Sequence, residues 1–350
     1  MREAVYIGID VAVKFCVLVV VNAAGQVLHR GRVATTELEL QKAVAPWGRR
    51  AQVAIEQGEL AGWVCRTLAP GVGRIVVAEP KHLAWIFRDP NKNDAIDAEK
   101  LAQLLRLGQI HEVYQAQQDD RWVFKRLVQH YEAMTYRQSV LKVQIKSQLR
   151  QEGVLVRGES VFEPAHRQEL LGRVKSEAIR GIVKDQFEAL EALLELQRKA
   201  RRRMAQFGRR YPELRRLQTI PGFGPICACR FVAYLQTPGR FANKRKLWRY
   251  ARLAVVQRFS GGVPLGRAHL DRSGCGSLKD VSRKVFQGAI RRREPNALKQ
   301  FYVESVKKTG NEKHARLSTQ RKIFSIALSL WRNQTEYEEK GLSSAERRTG

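Results

Sequence analysis

"AVYIGIDVAVKFCVLVVVNAAGQVLHRGRV", residues 4–33, packs three short apolar runs into thirty positions, separated by turn signals. Val, Ile, Leu and Phe dominate the runs, and such side chains suit a pleated, half-buried surface. Runs of about seven residues are strand length rather than helix length. The segment therefore reads as strands over 4–10, 15–21 and 26–33, with "NAAG" at 22–25 turning the second into the third. The first strand ends on an acid, Asp10. "FCVLVVV" is far shorter than the roughly 20 apolar residues that span a bilayer, and no secretory signal pattern opens the chain. Cys16, Cys65, Cys227, Cys229 and Cys275 lack the doubled CxxC spacing of a zinc site. Reduced thiols in a cytoplasmic protein are the expectation.

Outward from these strands the period changes. "TELELQKAVAPW" has helical spacing, "QVAIE" (52–56) is a short buried strand, "LAGWVCRTLA" (60–69) a helix, and "GRIVVAE" (73–79) a fifth strand. A further helix covers about 94–107. Three meandering strands followed by alternating helices and strands predict a mixed α/β sheet covered by helices. This is the element order of a ribonuclease-H-like fold.

The formal charge of +29 is unevenly placed. Residues 1–120 hold 14 Lys+Arg and 14 Asp+Glu, leaving 49 basic and 20 acidic groups to residues 121–350. A field of that size calls for a polyanion, and nucleic acid fits it. A membrane surface fits less well, because neither a lipidation motif nor an aromatic-rich amphipathic anchor accompanies the charge.

That basic remainder begins with helical periodicity. "RWVFKRLVQHYEAMTYRQSVLKVQIKSQLRQ" and "IVKDQFEALEALLELQRKARRRMAQF" predict a helical hairpin or a coiled coil between subunits, joined by a loop-rich connector at 151–175. After Pro212 the pattern is again mainly α-helical, with Gly/Ser-rich breaks at "FSGGVPLG" and "RSGCGS" and a last amphipathic helix at 321–333. The chain so divides into 1–120, 121–212 and 213–335, with 336–350 reading as a disordered tail.

Four carboxylates stand out. Asp10 and Glu56 end two strands, and Asp94 and Asp97 lie three apart at a helix start, hence on one face. In the expected fold all four meet at one sheet edge. Crowded carboxylates repel unless divalent cations sit between them, and all-oxygen ligands select Mg²⁺ or Mn²⁺. Two such ions about 3.5–4 Å apart stabilise both the attacking and the leaving oxygen of a phosphodiester displacement. Taken singly, each residue has a plainer reading: Asp10 capping a turn, Glu56 on the surface, Asp94 as helix N-cap with Asp97 favouring the dipole. Glu59 and Glu99 are assigned to solvent or supporting roles.

Three features of the basic part bear on nucleic acid. "TIPGFGP" (219–225) resembles a helix-hairpin-helix turn, in which Gly222 and Gly224 would offer backbone N–H groups to a phosphate; it reads equally as a helix connector. Lys244, Arg245 and Lys246 make "FANKRKLWRYARL" strongly basic. Ser260 lies in a Gly-rich segment near Arg258, Arg267 and Arg272, suited to nucleophilic attack on phosphate with the arginines stabilising charge, or to a simple turn. His269 and Ser273 are lesser candidates.

The blocks "YIGIDVAVKFCVLVVVNAAGQVL", "VAIEQG", "KNDAIDAEKLAQLL", "IPGFGP", "RFANKRKLWRYARL", "FSGG" and "LKQFYVESVKKTGNEKHA" occur in the order found in DEDD transposases of the insertion sequence 110 family. The chain resembles that family over roughly residues 4–340. The resemblance implies a RuvC-like catalytic domain joined through a coiled coil to a C-terminal transposase domain. It implies that Asp10, Glu56, Asp94 and Asp97 form the Mg²⁺-binding tetrad and that Ser260 attacks DNA to give a covalent phosphoserine intermediate. It further implies a structured noncoding guide RNA pairing with donor and target DNA, a homodimer or homotetramer, and a cytoplasmic bacterial or archaeal setting on DNA. Two stretches depart from the family pattern: "YARLAVVQRFS" before the serine, and "RSGCG", where Cys275 replaces the usual Asn. Rival readings are a Mg²⁺-dependent RuvC-like nuclease or junction resolvase in which water attacks, and a non-catalytic nucleic-acid-binding protein. An actin-like sugar kinase, suggested by "IGID", lacks its further phosphate loops.

Overall fold

Strands β1 (Val5–Val11), β2 (Phe15–Val21) and β3 (Val27–Ala34) form an antiparallel meander, because loops of a few residues allow only antiparallel neighbours. The chain then crosses through α1 (Glu37–Val44) to β4 (Ala51–Glu56), which lies parallel to β1. α2 (Ala61–Leu68) carries it to β5 (Arg74–Ala78), parallel to β4. The sheet order is β3-β2-β1-β4-β5, followed by the short α3 (Pro80–Leu83) and by α4 (Asp94–Arg106). This mixed sheet with its helices is consistent with the ribonuclease-H-like order expected from the sequence. The computed structural model describes residues 3–83, 93–115 and 120–339. It divides into two units, Met1–Asp120 and Arg121–Gly350.

Side-chain alternation sorts the two faces of the sheet. Val5, Ile7 and Ile9 of β1 join Val53 and Ile55 of β4 in a core with Leu40, Val44, Val64 and Leu68 of α1 and α2. The opposite face carries Ala54 and Val76 against Leu101, Leu104 and Leu105 of α4, and Val19 and Val21 against Ala98 and Ala102. Gly8 lies where α4 crosses β1. A Cβ there would stand 1.9 Å from the Ala98 carbonyl oxygen and 2.6 Å from the Ala102 nitrogen, both backbone atoms. Gly8→Ala must push α4 off the sheet, an overpacking cost of about 1–3 kcal/mol. The expected result is a fall of several degrees in the unit's thermal midpoint, and an unchanged midpoint would contradict this close approach.

The second unit opens with α5 (Arg121–Gln151) and α7 (Glu177–Gly208), antiparallel partners in one hairpin. At one end Ile145 and Leu149 meet Val183 and Phe187; at the other the Phe124 and Phe207 rings stack at 6.2 Å. The intervening connector is more regular than its sequence suggests. It holds a 3-10 turn at Ser160–Phe162 and α6 (Pro164–Gly172), whose Leu170 and Leu171 close the hairpin tip. The hairpin base shares a core with α8 (Glu213–Gln218), α9 (Pro225–Leu235), α10 (Lys244–Tyr250), α11 (Gly276–Arg291), α12 (Ala297–Thr309) and α13 (Glu312–Asn333). Phe231 sits at its centre, edge-on to Phe223 and Phe324.

Two expectations are corrected, and a third falls mostly outside the described residues. "FSGGVPLG" is an antiparallel hairpin rather than a loop, formed by β6 (Val255–Ser260) and β7 (Val263–Leu270). Gly261 and Gly262 have φ of +54° and +81°, the backbone a two-residue hairpin turn requires. The last helix starts at Glu312, nine residues before 321, because the Asn311 side chain caps it by accepting from Lys313 N at 3.0 Å and His314 N at 3.2 Å. Most of the tail expected to be disordered, 340–350, lies outside the described residues, as do 91 and 92 before α4.

Candidate functional site

Helix α4 begins at Asn93, whose extended backbone precedes the first turn and whose side chain accepts from Ala95 N at 2.9 Å. Asn93 is therefore the N-cap, and the plainer reading of Asp94 as the cap is corrected. Asp94 is the first helical residue and Asp97 the fourth, both in the turn where the helix dipole favours negative charge. Ala98, Leu101, Ala102 and Leu105 face the sheet, and positions 94 and 97 continue that stripe one turn earlier.

The direction of α4 decides which sheet edge those acids reach. At its far end Gln103 Nε2 donates to Gly25 O at 2.8 Å and Arg106 Nη1 to Ala23 O at 3.3 Å. That β2–β3 turn adjoins the start of β1, where Val21 pairs with Tyr6. The opposite end of α4, with Asp94 and Asp97, accordingly points to the edge where β1 and β4 finish. The pair Ile9↔Ile55 puts the next residues, Asp10 and Glu56, side by side on strands about 4.8 Å apart. Both alternate onto the α4 face, in phase with Gly8 and Ala54. Asp10 and Asp97 are half-buried, while Glu56 and Asp94 are exposed. Four hard oxygen donors on one edge and one face are a set suited to Mg²⁺ or Mn²⁺. Among the described residues no three such side chains are gathered closely enough to hold an ion. Glu99, assigned to a supporting role, pairs with Arg30 at 2.6 Å, and Glu59 is exposed.

Ser260 ends β6, paired with Val263 across the two-glycine turn, with its side chain exposed. Arg258 lies two residues back on the same strand, and Arg267 and Arg272 are also exposed. Apolar Phe259 (62% exposed) and Val263 (63%) are bare beside them. At the hairpin base Asp271 accepts from Ser273 N and Oγ, at 2.8 and 2.6 Å, and from Arg249 Nε at 3.2 Å. Burial alone would raise the Asp271 pKa, but these bonds outweigh it and hold the carboxyl below its usual range. His269 is exposed, on β7.

The "TIPGFGP" turn joins α8 to α9. Gly222, at φ +81°, packs against α11 so closely that a Cβ would stand 2.3 Å from Ala289 N and Val285 O. That contact accounts for Gly222 as a helix connector, while Gly224 is the N-cap of α9. Lys244, Arg245 and Lys246 form the exposed first turn of α10.

One network escaped the sequence reading. Arg230 of α9, only 7% exposed, reaches Glu132 of α5 and lies 2.7 Å from Asp280 of α11. Tyr234 OH donates to the same Glu132 carboxylate. Burial would raise the Asp280 pKa, yet bonds from Lys284, Arg230 and Arg283 hold it far below the carboxylate range. Burial, then the bond to Glu132, pushes the Tyr234 hydroxyl up. The network ties α5, α9 and α11 together. In sequence, Arg230 is only one more cation on an apolar helix.

Two family models match the chain. One, described as a transposase and of the DEDD type of IS110, covers residues 7–153 and so contains Asp10, Glu56, Asp94 and Asp97. The other, described as the transposase IS116/IS110/IS902 family, covers residues 214–303 and contains Ser260. Together they span more than half of the sequence. No curated protein matches it.

Proposed function

The chain belongs to the IS110 family of DEDD transposases, and from that premise we propose an RNA-guided DNA recombinase that cuts and rejoins strands through a serine nucleophile. As a transposase it is an enzyme whose substrate is DNA. The observation that most supports metal-assisted strand cutting is the shared edge, towards which the β1–β4 register and the direction of α4 turn Asp10, Glu56, Asp94 and Asp97. These four would hold Mg²⁺ or Mn²⁺. When bound, the ion supplies charge stabilisation at the reacting phosphate.

The chain's own residues carry the remaining steps. Ser260 Oγ gives up its proton as it bonds to the scissile phosphorus, the bond to one sugar oxygen breaks, and that oxygen takes up a proton and leaves as a hydroxyl. Arg258 and Arg267 stabilise charge developing on the phosphate oxygens. The phosphoserine bond retains the phosphodiester energy, so rejoining reverses the step without ATP. Serine and acids act on one phosphate in a site assembled from two copies of the chain, in a dimer or tetramer. The excess of positive charge beyond residue 120 holds guide RNA and DNA chiefly through phosphates. Lys244, Arg245, Lys246 and Arg272 belong to that surface.

RNA guidance is tested by expressing the protein with the natural flanks of its gene and sequencing the RNA that co-purifies. The expected result is one structured RNA encoded beside the gene. Recovery of random cellular RNA alone would count against guidance.

A further inference from the structure

Between strand β7 and helices α11 and α13 lies a cleft of about 630 Å³, within the roughly 300–1,000 Å³ of small-molecule sites. Leu270 and Leu317 supply apolar wall, and Lys279, Lys313 and Arg316 bring cations to it, all three exposed. Its one carboxylate, Asp280, is already neutralised, lying 2.7 Å from both Arg230 and Arg283 and 2.9 Å from Lys284. The cleft is therefore cationic with an apolar interior.

Gln320 distinguishes it from an ordinary basic groove. This side chain lines the cleft and is only 8% exposed. Its amide makes no hydrogen bond to any described residue, unlike its neighbour Thr319, whose hydroxyl donates to Ala315 O at 2.8 Å. The amide opens into the cleft with both its donor and its acceptor free for a ligand that offers the complementary pair. A backbone phosphodiester satisfies the cations but carries no hydrogen for the amide oxygen to accept. A nucleobase edge does both: a glutamine amide meets adenine with its oxygen accepting from N6–H and its nitrogen donating to N7. The imidazoles of His269 and His314, also on the cleft wall, offer faces on which a base can stack.

We propose that this cleft holds one unstacked adenine nucleotide of a bound nucleic-acid strand, with Gln320 reading the base edge and Lys279, Lys313 and Arg316 facing its phosphates. The proposal takes from the transposase reading only the class of ligand, nucleic acid, and uses neither the acidic edge nor Ser260.

The test is equilibrium binding of the full chain to a short single strand carrying one adenine, against the same strand with an abasic site there, in DNA and RNA forms. The adenine strand is expected to bind at least tenfold more tightly, and Gln320→Leu to erase that difference. The variant is close in size and breaks no hydrogen bond to a described residue, so its thermal midpoint should stay near wild type and the loss would not come from unfolding. A larger adenine preference in RNA identifies the strand as RNA, a larger one in DNA as DNA, and equal preferences mean that the sugar is not read. Equal binding of adenine and abasic strands by the wild type, or an adenine preference that survives Gln320→Leu, overturns the proposal. Strand cutting is not measured, so failure here and failure of the recombinase reading are separate results.

Discussion

Asp97→Asn is expected to lower strand cutting by on the order of 10³-fold or more while leaving the affinity for nucleic acid close to wild type. The substitution keeps shape and size and removes one charge from the edge shared with Asp10, Glu56 and Asp94. The helix should survive it, because the cap is made by Asn93 and the bond from Asp97 N to Asn93 O, at 3.0 Å, is backbone. Losing a favourable dipole charge costs about 0.3–1 kcal/mol, too little to unfold the unit. A bound ion contributes several kcal/mol to a phosphodiester displacement, and each 1.36 kcal/mol is about tenfold in rate, hence the size of the effect. Binding persists because the uncompensated positive charge lies beyond residue 120. Cutting of a labelled duplex and a mobility shift, measured in parallel, check this. Parallel loss of both would mean the acid supports folding rather than chemistry, and cutting at the wild-type rate would remove Asp97 from the site.

Ser260→Ala should abolish the covalent protein–DNA species altogether and reduce strand exchange by on the order of 10⁴-fold or more, the scale on which removal of a nucleophile acts. Ser260 is exposed and paired by its backbone to Val263, so alanine leaves the β6–β7 ladder intact. Denaturing electrophoresis of labelled DNA, with peptide mapping of any adduct, reads the outcome. Cutting that continues unimpaired without an adduct would favour attack by water, as in a RuvC-like nuclease.

Periodicity made much of the first unit legible. Alternation marked each strand, the three-and-four spacing marked α4, and acids at strand ends stood out against apolar neighbours. The same rule failed at "FSGGVPLG". Val255, Phe259, Val263 and Leu265 are all exposed on the hairpin, so no buried face imposes an alternation, and a glycine pair without flanking alternation reads as a break although it makes the turn. Gln320 and Arg230 were illegible for a different reason. Each is one polar residue within a helix, and its meaning lies in elements far along the chain: β7 and α11 for the first, α5 and α11 for the second.

Sequence alone determined the five strands and main helices of the first unit, which ends carry carboxylates, and that the positive charge lies almost wholly beyond residue 120. Those are local properties, written in spacing and composition. Tertiary structure alone decided that α4 runs back along β1 so that its acidic end points to the edge where β1 and β4 finish, that Gly8 admits the helix backbone, and that a glutamine amide is left open in a cationic cleft. These depend on register and on contact between segments distant in sequence. A periodic pattern states which face of an element is buried; packing decides what that face is buried against.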